Sequence, residues 1–201
     1  MRPYHLFSAM KIIAGLGNPG REYAMTRHNV GWWVLDHLAD VWHFDGWKKD
    51  GPAQVTTGLI GPHKVRLVKP QTYMNLSGDA LKTYARKPFW SPATDLLVVV
   101  DEVALPVGRF RIRSRGSAGG HNGLKHIQHT LGTQDYPRLR IGVGPDESQH
   151  VPGERLADYV LSPFSKSDRE TIVGMLSTYT DLCERWVRDG TDVTMNAFNN
   201  N

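Results

Sequence analysis

Five consecutive apolar residues, Leu96 to Val100 in "DLLVVVD", constrain the fold more than any other stretch of the sequence. A strand that faces solvent on one side alternates apolar and polar residues, whereas an unbroken apolar run is typical of a strand buried on both faces. Burial on both faces requires helices above and below the sheet. Predicted strands and helices alternate along the chain, which indicates an α/β fold: a single domain with a central mixed twisted sheet flanked by helices on both faces.

The other elements are predicted from hydrophobic periodicity and from turn residues. Ser77 is expected to cap a helix that Pro88 ends. A last helix is expected to begin at a capping box, Ser167 to Glu170, and to run unbroken toward Gly190. Strands are predicted at 11–16, 53–60, 64–69, 109–115 and 138–144, and further helices at 28–44, 75–87 and 122–133. One face of the first helix is expected to carry Val30, Val34, His37 or Leu38, and Val41.

Length and charge narrow the class of protein. The 201 residues suit one domain over 10–201, and residues 1–9 are expected to be a disordered N-terminal extension. The net charge of +4 favours a polyanionic partner. A single cysteine, Cys183, excludes a disulfide within the chain and fits a reducing, cytoplasmic compartment. No apolar run approaches the roughly 18 residues of a membrane span, so no membrane partner is expected.

The stretch "IIAGLGNPGREY", residues 12–23, matches the dinucleotide fingerprint G-x-G-x-x-G. In that fingerprint the glycines open a helix whose N-terminus meets the pyrophosphate. Here Pro19 and polar residues follow, and the next helix is predicted only near His28. A dinucleotide-dependent enzyme is therefore disfavoured. The glycines instead predict a tight turn that presents Asn18, and the alternative is a plain Asn-Pro-Gly turn.

Polar side chains follow several predicted strands, at the sheet edge where sites form in α/β proteins. Asp101 comes directly after the apolar run, where it is either a site acid or a turn residue. His28, just before the first long helix, is either a base with a pKa near neutrality or a helix-start histidine. The other polar residues in these loops are Asn18, Asn75, His121 and Asn122.

Other catalytic schemes have little support in the sequence. Cys183 lies in the middle of a predicted helix and reads as a small core residue. There is no G-x-S-x-G elbow, no H-E-x-x-H motif and no cysteine cluster. His126 and His129 lie one helical turn apart, but a metal would need a third ligand. A histidine base, an acid that orients it and several amides suit hydrolysis by activated water.

Arginines occupy every second position of the strand predicted at 109–115, namely Arg109, Arg111, Arg113 and Arg115. Strand geometry places them on one face, about 7 Å apart. The alternative is a solvated edge that blocks aggregation. Arg138 and Arg140 are expected to add charge on a neighbouring strand. We interpret these arginines as a surface that contacts a nucleic-acid backbone, and we call the four at 109–115 the arginine strip.

Together these stretches resemble the bacterial-type peptidyl-tRNA hydrolase family. The matching segments, in chain order, are "GLGNPG", "YAMTRHNVGWWVLD", "KPQTYMNLSG", "VVVDE", "SAGGHNGLKHI" and "RLRIGVG", followed by the tail "ERWVRDGTDVTMNAFN". The resemblance implies a monomeric hydrolase that acts without a metal, an organic cofactor or an obligate protein partner, and whose substrate is peptidyl-tRNA. Such enzymes cleave the ester between a peptide and the 3′ end of tRNA. The alternative is a non-catalytic RNA-binding relative, which the intact His28 and Asp101 speak against.

The resemblance also implies roles for individual residues. His28 is the catalytic base, Asp101 orients it, and Asn18 helps to distinguish peptidyl from free aminoacyl substrates. The residues that match substrate-contacting positions are Tyr23, Tyr73, Asn75 and Asn122, with Met74 and His121 nearby, and Arg113 and Arg140 match positions that hold tRNA phosphates. One departure is Ala104 in "DEVALP", where the family commonly has a second aspartate.

Overall fold

The computed structural model describes residues 9–146 and 149–199. All but the last residue of the expected N-terminal extension lie outside this range. Within it, seven strands form one sheet in the order β2-β3-β4-β1-β5-β7-β6. The strands are β1 (Lys11–Gly15), β2 (Lys48–Asp50), β3 (Ala53–Ile60), β4 (His63–Pro70), β5 (Leu96–Pro106), β6 (Phe110–Arg113) and β7 (Arg138–Gly144). The pairs β1–β4, β1–β5 and β5–β7 are parallel and the others antiparallel, so the predicted mixed sheet is confirmed.

Helices cover both faces of this sheet, as predicted. The α-helices are α1 (Val30–Val41), α2 (Lys82–Ala85), α3 (Pro92–Asp95), α4 (Asn122–Leu131), α5 (Leu156–Val160), α6 (Lys166–Gly174), α7 (Leu176–Asp189) and α8 (Thr191–Phe198). Short 3-10 turns span Arg21–Tyr23, Arg27–Asn29 and Gly153–Arg155, and a longer 3-10 segment spans Met74–Leu81. Across the described ranges, no helix combines the length and apolar character needed to cross a membrane.

The apolar run in β5 lies at the centre of the core. Leu97 and Val99 pack into one buried cluster with α1, α6 and α7, on one face of the sheet. Leu96, Val98 and Val100 pack into a second cluster with α4 and the 3-10 segment, on the other face. All five side chains are fully buried, which confirms the prediction of a strand covered on both sides.

The helix predicted at 75–87 differs from the structure. Its first two turns are the 3-10 segment, and only α2 is α-helical. Ser77 caps no helix, because its buried hydroxyl donates a hydrogen bond to the Met74 carbonyl at 2.8 Å. Gly78 lies directly against α4, where a Cβ would come within 2.7 Å of the His126 carbonyl oxygen. The 3-10 conformation, which helix propensity alone did not predict, therefore occurs where this segment packs tightly on α4.

The last predicted helix is interrupted. It begins at Lys166, and the hydroxyl of Ser165 accepts the capping hydrogen bond from the Asp168 amide at 3.1 Å, so the capping box predicted at Ser167 is wrong. The helix breaks at Met175 into α6 and α7, and α7 ends at Gly190 as predicted. On α1, Val41 is 39% exposed and contributes little to the core face that was predicted to include it.

Candidate active site

A cleft of about 1020 Å³ opens where β5 and β7 end and α4 begins. His28, Asp101, His121 and Asn122 lie at one part of its wall. Apolar residues from the carboxyl-terminal half of β5 and from α5 form much of the rest of the wall, among them Val103, Leu105, Leu156 and Val160. The carboxyl ends of parallel strands are the expected place for a site in an open α/β sheet.

Asp101 is the centre of a three-residue hydrogen-bond network. Nδ1 of His28 lies 2.9 Å from both carboxylate oxygens, and Nε2 of His121 lies 2.9 Å from Oδ1. His121 also caps α4, since its Nδ1 accepts a hydrogen bond from the Leu124 amide at 3.3 Å. These partners assign a proton to Nε2 of His121 and to Nδ1 of His28. In the neutral imidazole of His28, Nε2 is therefore the nitrogen without a proton, as a general base requires.

Burial and charge act in opposite directions on these groups. Burial lowers the pKa of His28, but the negative charge of Asp101 and its hydrogen bond outweigh this effect and raise the pKa above 6.5. Burial likewise raises the pKa of Asp101, but His28 and His121 outweigh it and hold that pKa far below its ordinary value. Asp101 is therefore ionised throughout the neutral range, with His28 as its partner.

Glycines bring the start of α1 close to the ends of β1 and β5. A Cβ at Gly31 would lie 2.6 Å from both the Leu16 amide nitrogen and the Val99 carbonyl oxygen, so no larger residue fits there without movement. Gly15 faces the Gly31 backbone, and Gly17 faces the Trp32 indole. The opening glycines thus serve helix–sheet packing, which sets His28 beside Asp101. This geometry supports the rejection of the dinucleotide fingerprint.

Asn18 is held by a buried residue that the sequence did not single out. The side chain of Asn29 accepts a hydrogen bond from the Asn18 amide and donates one to the Asn18 carbonyl, both at 2.9 Å. Asn18 Oδ1 accepts a hydrogen bond from the Met74 amide at 2.7 Å. The Asn18 side-chain oxygen is therefore occupied, and its NH₂ group is the part left to act as a donor. The only sequence signal for Asn29 is its position beside His28.

The predicted substrate residues divide into buried and exposed groups. Met74 is only 5% exposed and acts through its backbone amide. Tyr23 and Tyr73 meet edge to face with ring centroids 6.5 Å apart, and Tyr73 is 58% exposed. Asn75 and Asn122 are also exposed. The exposed side chains are available to a ligand, whereas Met74 helps to hold the site together.

All four residues of the arginine strip are exposed, as predicted, but they do not all lie at the same site. Arg109 and Arg111 line the cleft, whereas Arg113 lies outside it on the edge strand β6. Arg138 was expected to add surface charge, and this is wrong: it is fully buried and donates hydrogen bonds to the carbonyls of residues 116, 117, 134 and 136. Arg140 lines the cleft, pairs with Glu102 and donates to the Ser117 carbonyl at 2.8 Å.

Within residues 9–146 and 149–199, His28, Asp101 and His121 form one group of possible metal ligands, whose ligand atoms lie within 4.8 Å of one another. Two imidazoles and a carboxylate are a donor set that zinc accepts, but each N–O distance of 2.9 Å fits a hydrogen bond. His126, considered as a ligand from sequence, uses Nδ1 to accept the Gly78 amide at 3.0 Å.

Comparisons with known proteins agree with the resemblance. The family model described as peptidyl-tRNA hydrolase matches residues 12–201. A peptidyl-tRNA hydrolase from Gemmatimonas aurantiaca is 51% identical over 94% of this chain and 98% of its own length, and one from Desulforamulus reducens is 45% identical over 94% and 89%. The crystal structure of peptidyl-tRNA hydrolase from Acinetobacter baumannii superposes with a TM-score of 0.85 at 33% identity, covering 94% of both chains. The chain belongs to the peptidyl-tRNA hydrolase family.

Proposed function

We propose that this hydrolase cleaves the ester bond between a peptide, or an N-blocked amino acid, and the 3′ end of tRNA, and so recycles tRNA from prematurely released peptidyl-tRNA. The observation that carries the proposal is the pairing of His28 with the buried carboxylate of Asp101 on the wall of a large cleft. That pair leaves one unprotonated imidazole nitrogen available to a water molecule. Family membership supplies the substrate class.

The reaction follows from the proton assignments. Nε2 of His28 takes a proton from water as the water oxygen attacks the ester carbonyl carbon. The tetrahedral intermediate then collapses, and the 3′ oxygen of the tRNA leaves with the proton that His28 returns. Asp101 stays ionised and stabilises the imidazolium that exists between these two transfers. No covalent enzyme intermediate is needed, in agreement with the burial of Cys183, the one cysteine of the chain.

Asn18 is proposed to read the acyl side of the ester. Its free NH₂ group donates to a carbonyl oxygen, and a peptidyl substrate offers an amide carbonyl and an uncharged nitrogen near the ester. A free aminoacyl ester instead carries a charged ammonium, which accepts no hydrogen bond. The fixed orientation of Asn18 therefore favours peptidyl over aminoacyl substrates. Asn122, at the start of α4, is proposed as a second amide contact, and His121 as a positioning residue for Asp101.

The exposed groups around the site suit the RNA part of the substrate. Tyr73, supported by Tyr23, offers an aromatic face on which a base at the 3′ end can stack. Asn75 lies next to the Met74 backbone that fixes Asn18. Arg113 and Arg140 are proposed to hold tRNA phosphates, positioning the RNA without reading its sequence.

The non-catalytic RNA-binding alternative is not favoured, because the base, its carboxylate and the amide of Asn122 line the same cleft. Every group proposed for catalysis comes from one chain, so we propose that the protein acts as a monomer without an obligate partner protein. A cytoplasmic location suits both the substrate and the single cysteine, Cys183, which is buried.

The proposal is tested by incubating the purified protein with N-acetyl-aminoacyl-tRNA in water enriched in ¹⁸O. We expect turnover, with one ¹⁸O atom in the carboxylate of the released acyl group and none in the tRNA. Free aminoacyl-tRNA, the matched control substrate, should react more slowly. Tight tRNA binding without turnover would support the non-catalytic alternative and refute the proposal.

A further inference from the structure

A second pocket, of about 500 Å³, lies apart from the catalytic network. It is formed where α2 packs against the carboxyl-terminal half of α4. Its lining residues are Lys82, Ala85, Arg86, His126, His129, Thr130 and Leu131. None of these residues belongs to the arginine strip or to the site described above.

The polar groups of this pocket favour an anion. Arg86 and His129 are exposed, and neither makes a side-chain ion pair within the described chain. The Lys82 ammonium lies 2.7 Å from Asp79 Oδ1, which offsets one positive charge. His126 accepts the Gly78 amide through Nδ1, so its proton is on Nε2, which lies 4.0 Å from the same Asp79 oxygen and acts as a donor. The pocket therefore presents donors and cations with one neighbouring carboxylate.

Two elements connect this pocket with the catalytic site. The 3-10 segment begins at Met74, which holds Asn18, and leads directly into Lys82. Helix α4 begins beside His121, which holds Asp101, and ends past Thr130. The two elements pack closely together along Gly78. At a rise of 1.5 Å per residue, α4 places Thr130 roughly 12 Å from its first residue.

This separation fits a nucleic-acid strand. A stacked strand rises about 3.4 Å per nucleotide, so roughly 12 Å corresponds to three or four nucleotides. If the 3′ ester lies at His28, as the proposed function requires, and the strand runs along α4, a phosphate of that strand lies at the pocket. We propose that Arg86 and His129, with the Nε2–H of His126, bind a backbone phosphodiester of the RNA strand that carries the ester, three or four nucleotides from it.

The test compares substrates of different length. N-acetyl-aminoacyl adenosine has no phosphate, whereas the same acyl group on a five-nucleotide 3′ fragment has the phosphates that the pocket would bind. The Arg86→Ala/His129→Ala double variant should raise KM about fivefold for the fragment and leave it unchanged for the adenosine ester. The dependence of KM on salt should flatten by about 0.7 units of slope for one lost single-strand contact. Arg169→Ala, which removes an exposed arginine from α6 on the other face of the sheet, is the matched control and should change neither value.

Direct binding separates this proposal from the proposed function. The five-nucleotide RNA without an acyl group should bind the wild type more tightly than the double variant and should shift the NMR signals of the His129 ring. That result supports the site even if the protein hydrolyses no ester. Equal affinity of both proteins for the RNA, equal damage with both esters, or a His129 shift with inorganic phosphate but not with the RNA would overturn it.

Discussion

Replacing Gly31 by alanine tests whether close packing of α1 on the sheet sets the catalytic geometry. The added Cβ would meet backbone atoms on two strands, the Leu16 amide nitrogen and the Val99 carbonyl oxygen, each at 2.6 Å. Ordinary contact begins at 3.4 Å, so the helix start must retreat by about 0.8 Å. Neither neighbour is the end of a flexible side chain, and a retreat of the helix is therefore the easiest response.

This movement has two measurable results. The start of α1 carries His28 away from Asp101, and a misplacement of about 1 Å can lower the rate by about 10²-fold. Overpacking of a filled core also lowers the free energy of unfolding by about 1–3 kcal/mol. For a chain of this size, each kcal/mol corresponds to a fall in Tm of roughly 2–4 °C.

The assay is turnover of N-acetyl-aminoacyl-tRNA, with thermal unfolding of the same samples. Gly174→Ala is the matched control, because a Cβ at this helical glycine would meet nothing within 4 Å. That variant should keep full activity and gain up to about 1 kcal/mol of stability. A Gly31→Ala protein with wild-type kcat and a lowered Tm would show that α1 packing stabilises the fold without setting the position of His28.

Three further variants test separate parts of the site. Asp101→Asn removes the charge that raises the pKa of His28, whereas burial, which lowers that pKa, remains. The acid limb of kcat/KM should therefore move to lower pH, and the maximal rate should fall. An acid limb that does not move would contradict the pairing of His28 with Asp101. Asn29→Ala should lower the free energy of unfolding by about 1–3 kcal/mol, measured by urea unfolding, and should reduce the preference for peptidyl over aminoacyl-tRNA; unchanged preference would show that Asn18 needs no such support. Arg113→Ala should raise KM for full-length substrate and flatten its salt slope by about one unit, with little effect on a short 3′ fragment; equal effects on both would exclude a distant phosphate contact.

The central mixed sheet and most of its strands were predictable because they depend on short-range patterns, whereas β2 and the order of the strands in the sheet were not predicted. The run from Leu96 to Val100 required two covered faces, and the structure buries all five residues. The helix predicted at 122–133 is α4, and Gly132, which closes it, adopts a φ of +67° that favours glycine. The capping residue of α6 was not predictable from the local sequence. Ser165 and Ser167 both precede a helical pattern, and only Ser165 caps α6.

Features that depend on contacts between distant residues were not predictable. Asn29 fixes Asn18 through two hydrogen bonds across 11 positions of sequence, and nothing in the local sequence indicates them. Arg138 lies two positions before Arg140 in β7, and the sequence pattern does not distinguish them. The loops around Arg138 nevertheless supply carbonyl oxygens that accept hydrogen bonds from its buried guanidinium. The family resemblance implied that Asp101 orients His28, but the 2.9 Å contact across 73 positions was not predictable from the residues themselves.

The central claim is that His28, oriented by Asp101, activates the hydrolytic water. The most direct measurement is single-turnover cleavage of N-acetyl-aminoacyl-tRNA by His28→Ala, with His37→Ala in the adjoining helix α1 as the control. Loss of general-base assistance should slow cleavage by about 10²–10⁴-fold, while circular dichroism and tRNA affinity stay close to those of the wild type and His37→Ala keeps full activity. A folded His28→Ala protein that cleaves at nearly the wild-type rate would contradict the claim.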